Sequence, residues 1–174
     1  MKFCSHCSAL VSFVIPEGDN RKRYVCDACE FIFYENPRII AGTIPTFGEK
    51  VLLCKRAIEP RLGYWTLPAG FMENGETTQQ GALRETYEEA YAKPELGPLF
   101  SVCNLPAHQQ VHLFYLATMH APEYNSGPES LEVALFDEAD IPWDDLAFGT
   151  VTQTLERFFK DRKDGVEQLH HIDF

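Results

Sequence analysis

The chain has 174 residues, of which 45% are hydrophobic and 24% charged, and its formal net charge at pH 7 is −11. This length suits one well-buried core with a small additional module, and the balance is ordinary for a globular protein. No apolar run approaches a membrane span, so no membrane partner is predicted. Residues 37–174 hold eleven Lys/Arg against twenty-one Asp/Glu, and residues 1–36 hold four against five, so neither part has the basic surface that favours nucleic acid.

Four cysteines near the N-terminus have the spacing CxxC-x18-CxxC: Cys4, Cys7, Cys26 and Cys29. Two such knuckles favour a structural, tetrahedral Zn²⁺ site, because four thiolates leave no position for a catalytic water. A redox pair and disulfides are the alternatives. Disulfides are disfavoured, since the apolar residues 9–15 lie between the knuckles and lack the cleavage-site context of a signal peptide. The same cysteines predict a cytoplasmic location.

In chain order, the ribbon strands are predicted at 10–15, 22–26 and 31–34. Asn36-Pro37 is interpreted as the junction between a zinc ribbon at 1–36 and a main domain at 37–174. Residues 38–45 and 50–56 predict a hairpin around Phe47-Gly48-Glu49. Further strands are predicted at 110–119 and 130–136, and an amphipathic helix at 151–162.

Residues 70–92 read GFMENGETTQQGALRETYEEAYA and predict a helix at about 77–91, with Thr77 and Gln80 as a capping box. Helical spacing puts Glu85, Glu88 and Glu89 within an arc of roughly 100°, and leaves an opposite face, which includes Tyr87, for burial. Like charges three and four residues apart destabilise a helix, and a divalent cation would remove that penalty. Carboxylates on one face suit Mg²⁺ or Mn²⁺. The alternative is a solvated acidic helix face.

The same run resembles the Nudix box of Nudix hydrolases, G-x5-E-x7-R-E-U-x-E-E-x-G-U, where U is aliphatic. The matching positions are Gly70, Glu76, Arg84, Glu85, Glu88 and Glu89. Thr86 stands at an aliphatic site, Tyr91 replaces the closing glycine, and Ala92 is only weakly aliphatic. The resemblance implies an α/β fold, namely the Nudix α/β/α sandwich with a mixed sheet, here preceded by the zinc-ribbon β module.

The resemblance also implies roles for individual residues. Glu85, Glu88 and Glu89 would be catalytic metal ligands, the Gly70 carbonyl would approach the metal, and Glu76 would brace its loop against Arg84. The general base varies in this family, and the candidates are Glu129 and Glu132, with Glu123 in the preceding loop. Arg56 and Arg61, with Lys55, lie before the box and could reach phosphate, although a solvated role is equally compatible with their positions.

The implied reaction is hydrolysis of a nucleoside diphosphate linked to another moiety, so the expected partner is a small nucleotide. Two features resemble those of ADP-ribose, FAD and NADH pyrophosphatases, which release AMP. They are the ribbon ahead of the box and the approach to the box, Leu67-Pro68-Ala69-Gly70. The SQPWPFP-like run of the NADH branch is absent, since residues 101–108 read SVCNLPAH. Alternatives are a triphosphate-sanitising enzyme, an RNA-cap-removing enzyme and a catalytically silent binding module. The sequence leaves a homodimer open.

Overall fold

The computed structural model describes residues 1–174, which form two compact units, Met1–Pro37 and Arg38–Phe174. The first unit is a three-stranded antiparallel sheet in the order β1-β2-β3. Its strands confirm the three predicted positions with shorter bounds: β1 Val11–Val14, β2 Arg23–Cys26 and β3 Ile32–Phe33. Strands of two to four residues bury little apolar surface, so this unit needs another source of cohesion.

The second unit is built on one mixed sheet of eight strands with two helices. Its main path runs β10-β5-β4-β9-β8-β11, with β6 paired to β5 and β7 paired to β4. The elements are β4 Arg38–Phe47, β5 Lys50–Arg56, β6 Trp65–Thr66, β7 Ala69–Phe71, α1 Thr78–Ala90, β8 Glu95–Leu105, β9 Gln110–Thr118, β10 Ser130–Phe136, α2 Gly149–Asp164 and β11 His170–Asp173.

Strand β4 connects the two halves of the sheet. It runs parallel to β9 along its whole length and turns back antiparallel into β5 at Gly48 and Glu49. Its first half also pairs with β7, where a Cβ on Gly42 would lie 2.3 Å from the Cβ of Ala69. Because Gly42 has no side chain, β7 can approach closely, and it brings the segment that leads into α1 onto the sheet.

The two helices cover opposite faces of the sheet. Side chains of a strand point alternately to either face, and β5 is buried on both. Val51 and Leu53 pack in one cluster with Leu155 of α2, whereas Leu52 packs in another with Ala90 of α1. The unit therefore has three layers, helix, sheet and helix.

The hairpin, β9, β10 and the closing helix were predicted, but strands β8 and β11 were not. Strand β8 contains Gly97 and Pro98, and its register with β9 is irregular there, so no clean alternation marks it. Strand β11 buries only Ile172 fully, at the sheet edge beside β8. Neither α1 nor α2 has the length and apolarity needed to cross a bilayer.

A pair of buried hydroxyl groups joins α1 to β4. Thr86, which occupies an aliphatic position of the box, lies 2.6 Å from Thr43 between the two hydroxyl oxygens, and it donates to the carbonyl oxygen of Ala82 at 2.7 Å. Both threonines are fully buried. Thr86 thus replaces an aliphatic residue of the box but has a polar partner on the sheet, and both hydroxyl groups are hydrogen-bonded.

We expect Thr86→Val to lower the free energy of unfolding by about 1–2 kcal/mol, because it leaves the Thr43 hydroxyl buried without a partner. The double variant Thr43→Val/Thr86→Val removes both polar groups and should recover most of that loss. Urea unfolding followed by tryptophan fluorescence measures the cycle, since Trp65 and Trp143 both lie in the second unit. Additive losses in the double variant would contradict the pairing.

Candidate active site and cysteine cluster

Helix α1 is fixed at both ends by its own caps. The Thr77 hydroxyl accepts from the Gln80 amide at 3.2 Å, and the Gln80 side chain accepts from the Thr77 amide at 2.8 Å, which is the predicted capping box. At the other end Tyr91 adopts a left-handed conformation, and its amide donates to the Tyr87 carbonyl at 2.8 Å. The helix was predicted at about 77–91. Thr77 and Tyr91, the two ends of that range, are the caps of α1, and the last turns of α1 carry the acids.

The carboxylate of Glu85 lies against the backbone of Gly70. A Cβ on Gly70 would be 2.3 Å from the Glu85 carboxyl carbon, so no other residue fits there without displacing the acid. This contact places the Gly70 backbone directly beneath Glu85. Burial raises the pKa of Glu85, although Arg84 acts in the opposite direction.

Arg84 connects the loop before α1 to the acids on it. Its guanidinium binds Glu76 in a bidentate manner, at 3.0 and 2.8 Å, and donates through Nη1 to Glu85 at 2.7 Å and Glu88 at 3.0 Å. The hydrogen bonds from Arg84, and another from the Glu73 amide, lower the pKa of Glu76 to about 2. Glu76 is thus a fixed anion that holds its loop on the helix, as a bracing residue would.

Glu89 is an acid inside the protein, with 6% of its surface exposed. One carboxylate oxygen accepts from the Ala69 amide at 3.3 Å. Its pKa is raised to about 8, first because burial removes water from the charged form and then because Glu85 is a nearby negative charge. Glu129 raises this pKa further, whereas the positive charge of Arg56 lowers it, so both residues are close enough to Glu89 to affect its ionisation.

The loop between β9 and β10 is fastened to the end of α1. The Gly127 amide donates to the Glu89 carbonyl at 3.0 Å, and the Asn125 amide donates to the Ala90 carbonyl at 2.8 Å. These bonds satisfy carbonyls that a helix end leaves free. A Cβ on Gly127 would lie 1.7 Å from the Glu88 carbonyl oxygen, so a glycine is required for this approach. The sequence signal was the Gly127-Pro128 turn, but its contact with the helix end could not be inferred from it.

The structure separates two of the three predicted base candidates, Glu129 and Glu132. Glu129 directly follows the fastened loop, and its charge raises the pKa of both Glu85 and Glu89. Between Ser130 and Glu132 the pairing of β10 with β5 shifts register, which puts Glu132 opposite Lys55. The Glu132 carboxylate is 3.7 Å from the Lys55 ammonium in an exposed ion pair. A bulge re-aims the side chains that follow it, so Glu132 pairs with Lys55, whereas Glu129 acts electrostatically on Glu85 and Glu89.

The two predicted phosphate-binding arginines also differ. The Arg56 guanidinium donates to the Pro60 carbonyl at 2.8 Å, lies 5.1 Å from the centre of the Phe148 ring, and acts electrostatically on Glu89. Arg61 lies 5.3 Å from the centre of the Tyr64 ring, and it has no ion pair or hydrogen bond that links it to the acids. The electrostatic effect on Glu89 thus associates Arg56, but not Arg61, with the acidic site.

The acids have the composition of a magnesium or manganese site. Glu85 and Glu88 are both within hydrogen-bond distance of one nitrogen of Arg84, and Glu89 lies one helical turn from Glu85 on the same face. All the available donors are hard oxygen atoms, which suit these cations. Glu88 is the exposed member, and its hydrogen bond with Arg84 at 3.0 Å is the contact that it would exchange for a bound ion. The residues present therefore fit a divalent cation.

The four ribbon cysteines converge on one point. Their sulfur atoms all lie within 4.8 Å of one another, with Cys4 and Cys29 3.7 Å apart and Cys7 and Cys26 3.4 Å apart. Tetrahedral zinc with Zn–S bonds of about 2.3 Å separates its sulfur ligands by about 3.8 Å. All four thiols are free, and the amides of Cys29 and Ala28 lower the pKa of Cys26 to about 6. The cluster fits zinc and not a pair of disulfides.

His6 is not one of these ligands. Its ring stacks on Phe31 at a centroid distance of 4.0 Å and meets Phe33 edge-on at 6.4 Å. The backbone amide of His6 does contribute, because it donates to the Cys4 sulfur at 3.4 Å. His6 therefore supports the knuckle through its backbone and the apolar side of the ribbon through its ring.

Comparison with known proteins agrees with both units. Residues 36–161 match the family model described as NUDIX domain, and residues 2–35 match the zinc-ribbon model described as Nudix N-terminal. A NUDIX hydrolase crystal structure from Nitrosomonas europaea superposes with a TM-score of 0.96 at 49% identity, covering 100% of this chain and 99% of that one. The chain belongs to the Nudix hydrolase family. The predicted fold class and enzyme class are thereby confirmed.

Two further Nudix proteins are similar over shorter stretches. An ADP-ribose pyrophosphatase from Methanocaldococcus jannaschii is 28% identical over 120 residues, which is 67% of this chain and 71% of that protein. A bifunctional NMN adenylyltransferase/ADP ribose pyrophosphatase from Francisella tularensis, complexed with AMP and a manganese ion, has a TM-score of 0.59 at 18% identity and covers 74% of this chain and 42% of its own. The second likeness shows the fold alone.

The cysteine cluster predicts an effect confined to the ribbon. Cys26→Ser should lose zinc and unfold residues 1–36, because a structural zinc contributes about 10–16 kcal/mol to the folding of small zinc modules. Elemental analysis should find close to one zinc per wild-type chain and almost none in the variant. Tryptophan fluorescence should show an unchanged unfolding transition, since both tryptophans lie in the Nudix unit.

Cys103→Ser is the matched control, because Cys103 lies in β8 outside the ribbon and should keep the zinc. A wild-type protein without zinc, whose ribbon cysteines are paired as disulfides, would contradict the assignment.

The buried Glu89 predicts a stability penalty that grows with pH in the protein free of Mg²⁺ and Mn²⁺. Below about pH 4.5 the carboxyl is protonated in both the folded and the unfolded chain, so it contributes nothing. Between about pH 4.5 and 8 only the unfolded chain releases the proton, so the free energy of unfolding falls as pH rises. Glu89→Gln removes this penalty and should be more stable than wild type by on the order of 2–4 kcal/mol at pH 8.

Urea unfolding of wild type and Glu89→Gln at pH 5 and pH 8 measures the difference. Glu88→Gln serves as the control, because the Glu88 side chain is exposed and its replacement should give no comparable gain at pH 8. A constant gap between Glu89→Gln and wild type across this range would contradict a raised pKa for Glu89.

Proposed function

We propose that this Nudix protein hydrolyses the diphosphate linkage of a nucleoside diphosphate derivative and releases AMP. ADP-ribose is the first candidate substrate, followed by FAD and then NADH. The observation that carries the proposal is the Arg84-centred arrangement, in which Glu76, Glu85 and Glu88 share one guanidinium beside the buried Glu89. Such a cluster of desolvated and repelling acids is expected at a functional site.

Each residue in the proposal has a defined task. Glu85, Glu88 and Glu89, with the Gly70 carbonyl, would hold Mg²⁺ or Mn²⁺. When bound, such a cation neutralises phosphate charge and lowers the pKa of a coordinated water. Arg56, whose charge already acts on Glu89, would contact a phosphate oxygen of the substrate. Glu129 would accept the proton of the attacking water, because it is the base candidate whose charge acts on both Glu85 and Glu89.

Two observations support the substrate class: similarity to an ADP-ribose pyrophosphatase, and the absence of the SQPWPFP-like motif. The relative from Methanocaldococcus jannaschii is named an ADP-ribose pyrophosphatase, and its similarity spans 67% of this chain. The SQPWPFP-like run of the NADH branch is missing, which places NADH after the other two compounds. A triphosphate-sanitising or cap-removing activity has no comparable support on the chain.

A substrate panel tests this proposal. Purified protein is incubated with ADP-ribose, FAD, NADH and nucleoside triphosphates, with Mg²⁺ or Mn²⁺, and the products are separated by chromatography. We expect AMP from at least one diphosphate compound and a kcat/KM for it above that of every triphosphate. A triphosphate with a kcat/KM tenfold above all three diphosphate compounds would overturn the substrate class and leave the family membership intact.

Two matched variants test the assignment of the base. Glu129→Gln should lower kcat by at least about a hundredfold, which is the usual contribution of a positioned proton acceptor. Glu132→Gln, three residues away in the exposed ion pair with Lys55, should change kcat by less than about twofold. Equal effects of the two substitutions would contradict the role of Glu129.

The six unpaired cysteines support a further proposal, that the protein functions in the reducing environment of the cytoplasm. Cell fractionation with an antibody against the chain would test it. Recovery of the protein from an oxidising compartment would contradict it.

A further inference from the structure

Arg56 is a cation that the protein leaves without an ionic partner. It forms no ion pair, and its only side-chain hydrogen bond runs from Nε to the Pro60 carbonyl oxygen at 2.8 Å. The terminal nitrogens Nη1 and Nη2 donate to no protein group, so the donors on both of them are available to a ligand. A planar guanidinium with two free nitrogens suits an anion that accepts two hydrogen bonds side by side, as a phosphate does.

The end of β5 brings this guanidinium to the acids of α1. Arg56 is the last residue of β5 and follows Cys54 by two positions, so both side chains start from the same face of the sheet. Cys54 packs in one cluster with Ala90 of α1, and Ala90 directly follows Glu89. Arg56 therefore starts from the face that α1 covers. Burial raises the pKa of Glu89 to about 8, and the positive charge of Arg56 acts in the opposite direction, as this proximity requires.

The Phe148 ring lies against the same guanidinium. The central carbon atom of the guanidinium is 5.1 Å from the centre of the Phe148 ring, which is within the range of a cation–π interaction. The Pro60 carbonyl accepts from Nε at the same time. One contact thus acts on the π-system of the guanidinium and the other on its Nε edge, so the two together restrict its rotation and leave only the terminal nitrogens free.

Phe148 is itself held in place by the chain around it. The Ala147 amide donates to the Trp65 carbonyl at 2.8 Å, and Leu146 forms a parallel bridge with Trp65. The Phe148 side chain is partly buried and packs against the core between the sheet and α2. A ring anchored in this way can hold a flexible arginine in one orientation.

The position of Phe148 in α2 indicates that the ring has a role beyond the helix. Phe148 is the N-cap residue of α2, where Ser, Thr, Asn and Asp are preferred because their side chains accept from a free amide. No side-chain hydrogen bond caps α2 at this residue. The helix start therefore gains nothing from a phenylalanine, whereas Arg56 gains a contact.

We propose that Phe148 is a positioning residue, whose ring, together with the Pro60 carbonyl, holds the Arg56 guanidinium ready to donate both terminal nitrogens to the substrate diphosphate. This inference rests on the proposed function, in which Arg56 contacts a phosphate oxygen. An arginine that is already oriented loses less conformational freedom when it binds. Loss of the ring should therefore weaken binding of the diphosphate more than it slows the chemical step.

Phe148→Leu tests this role, because it keeps an apolar side chain against the core and removes the ring. The probe is α,β-methylene-ADP in Mg²⁺, whose two phosphorus atoms are joined by carbon, so that this linkage resists hydrolysis. We expect calorimetric titration to show about a tenfold loss of affinity, within the range of a cation–π contact. The affinity for adenosine, which has no phosphate, should not change. With the hydrolysed substrate, KM should rise more than kcat falls.

A double-mutant cycle separates positioning from packing. Arg56→Met removes the guanidinium and keeps an unbranched side chain. If Phe148 acts through Arg56, then Phe148→Leu should weaken binding of α,β-methylene-ADP no further in the Arg56→Met background. Equal losses in both backgrounds would overturn the proposal, because the ring would then act without Arg56. Phe148→Tyr keeps a ring and should recover most of the affinity.

Two other variants complete the test. Phe136→Leu is the matched control, because Phe136 is another partly buried ring on the same core but contacts Trp65, at 4.9 Å, and no arginine. Its affinity for α,β-methylene-ADP should equal that of wild type. Should Phe148→Leu fail to fold, Arg56→Lys keeps the charge and removes the planar group that the ring and the Pro60 carbonyl hold. Wild-type affinity in Arg56→Lys would overturn the proposal.

The outcomes separate this inference from the proposed function. Unchanged affinity for α,β-methylene-ADP in Phe148→Leu overturns the positioning role even when the wild-type enzyme hydrolyses ADP-ribose. A wild type that binds α,β-methylene-ADP but hydrolyses no diphosphate compound overturns the proposed function, and the cycle still decides how Phe148 acts. A wild type that neither binds nor hydrolyses a diphosphate overturns both.

Discussion

Repulsion among the acids of α1 is the constraint on which the site depends, and Arg84 is the main residue that opposes it. Its guanidinium binds Glu76 with two hydrogen bonds and reaches Glu85 and Glu88 with a third nitrogen. One positive charge cannot balance all the carboxylates. In the metal-free protein the raised pKa of Glu89 favours its uncharged form, and this removes part of the repulsion that Arg84 leaves. The same acids thus limit stability and are the proposed ligands for a divalent cation, which is the usual conflict between stability and function.

Close approach of backbone segments makes this arrangement possible. Gly70 allows the Glu85 carboxylate to lie on β7, and Gly127 allows the loop before β10 to reach the carbonyls at the helix end. The Thr43–Thr86 hydrogen bond fixes the helix on β4 from the opposite side. The acids are consequently positioned by regular elements and anchored turns, which favours a preorganised site.

The ribbon obeys a different constraint. A unit of 37 residues with strands of two to four residues cannot bury a core of its own, and aromatic residues such as Phe3, Phe13 and Tyr34 remain exposed. Its cohesion depends on the four cysteine sulfurs and on the amides that donate to them, as at Cys4 and Cys26. The ribbon therefore depends on its cysteine cluster for stability, whereas the Nudix unit depends on its hydrophobic core.

The sequence by itself determined whatever depends on residues near one another along the chain. The cysteine knuckles, the capping box at Thr77, the acids of α1 and the hairpin of β4 and β5 follow from local spacing and periodicity. The tertiary structure decided the rest, because burial and register depend on distant partners. It buried Glu89, exposed Tyr87, and paired β8 and β11 despite weak patterns. A bulge after Ser130, which no local signal marks, placed Glu132 opposite Lys55.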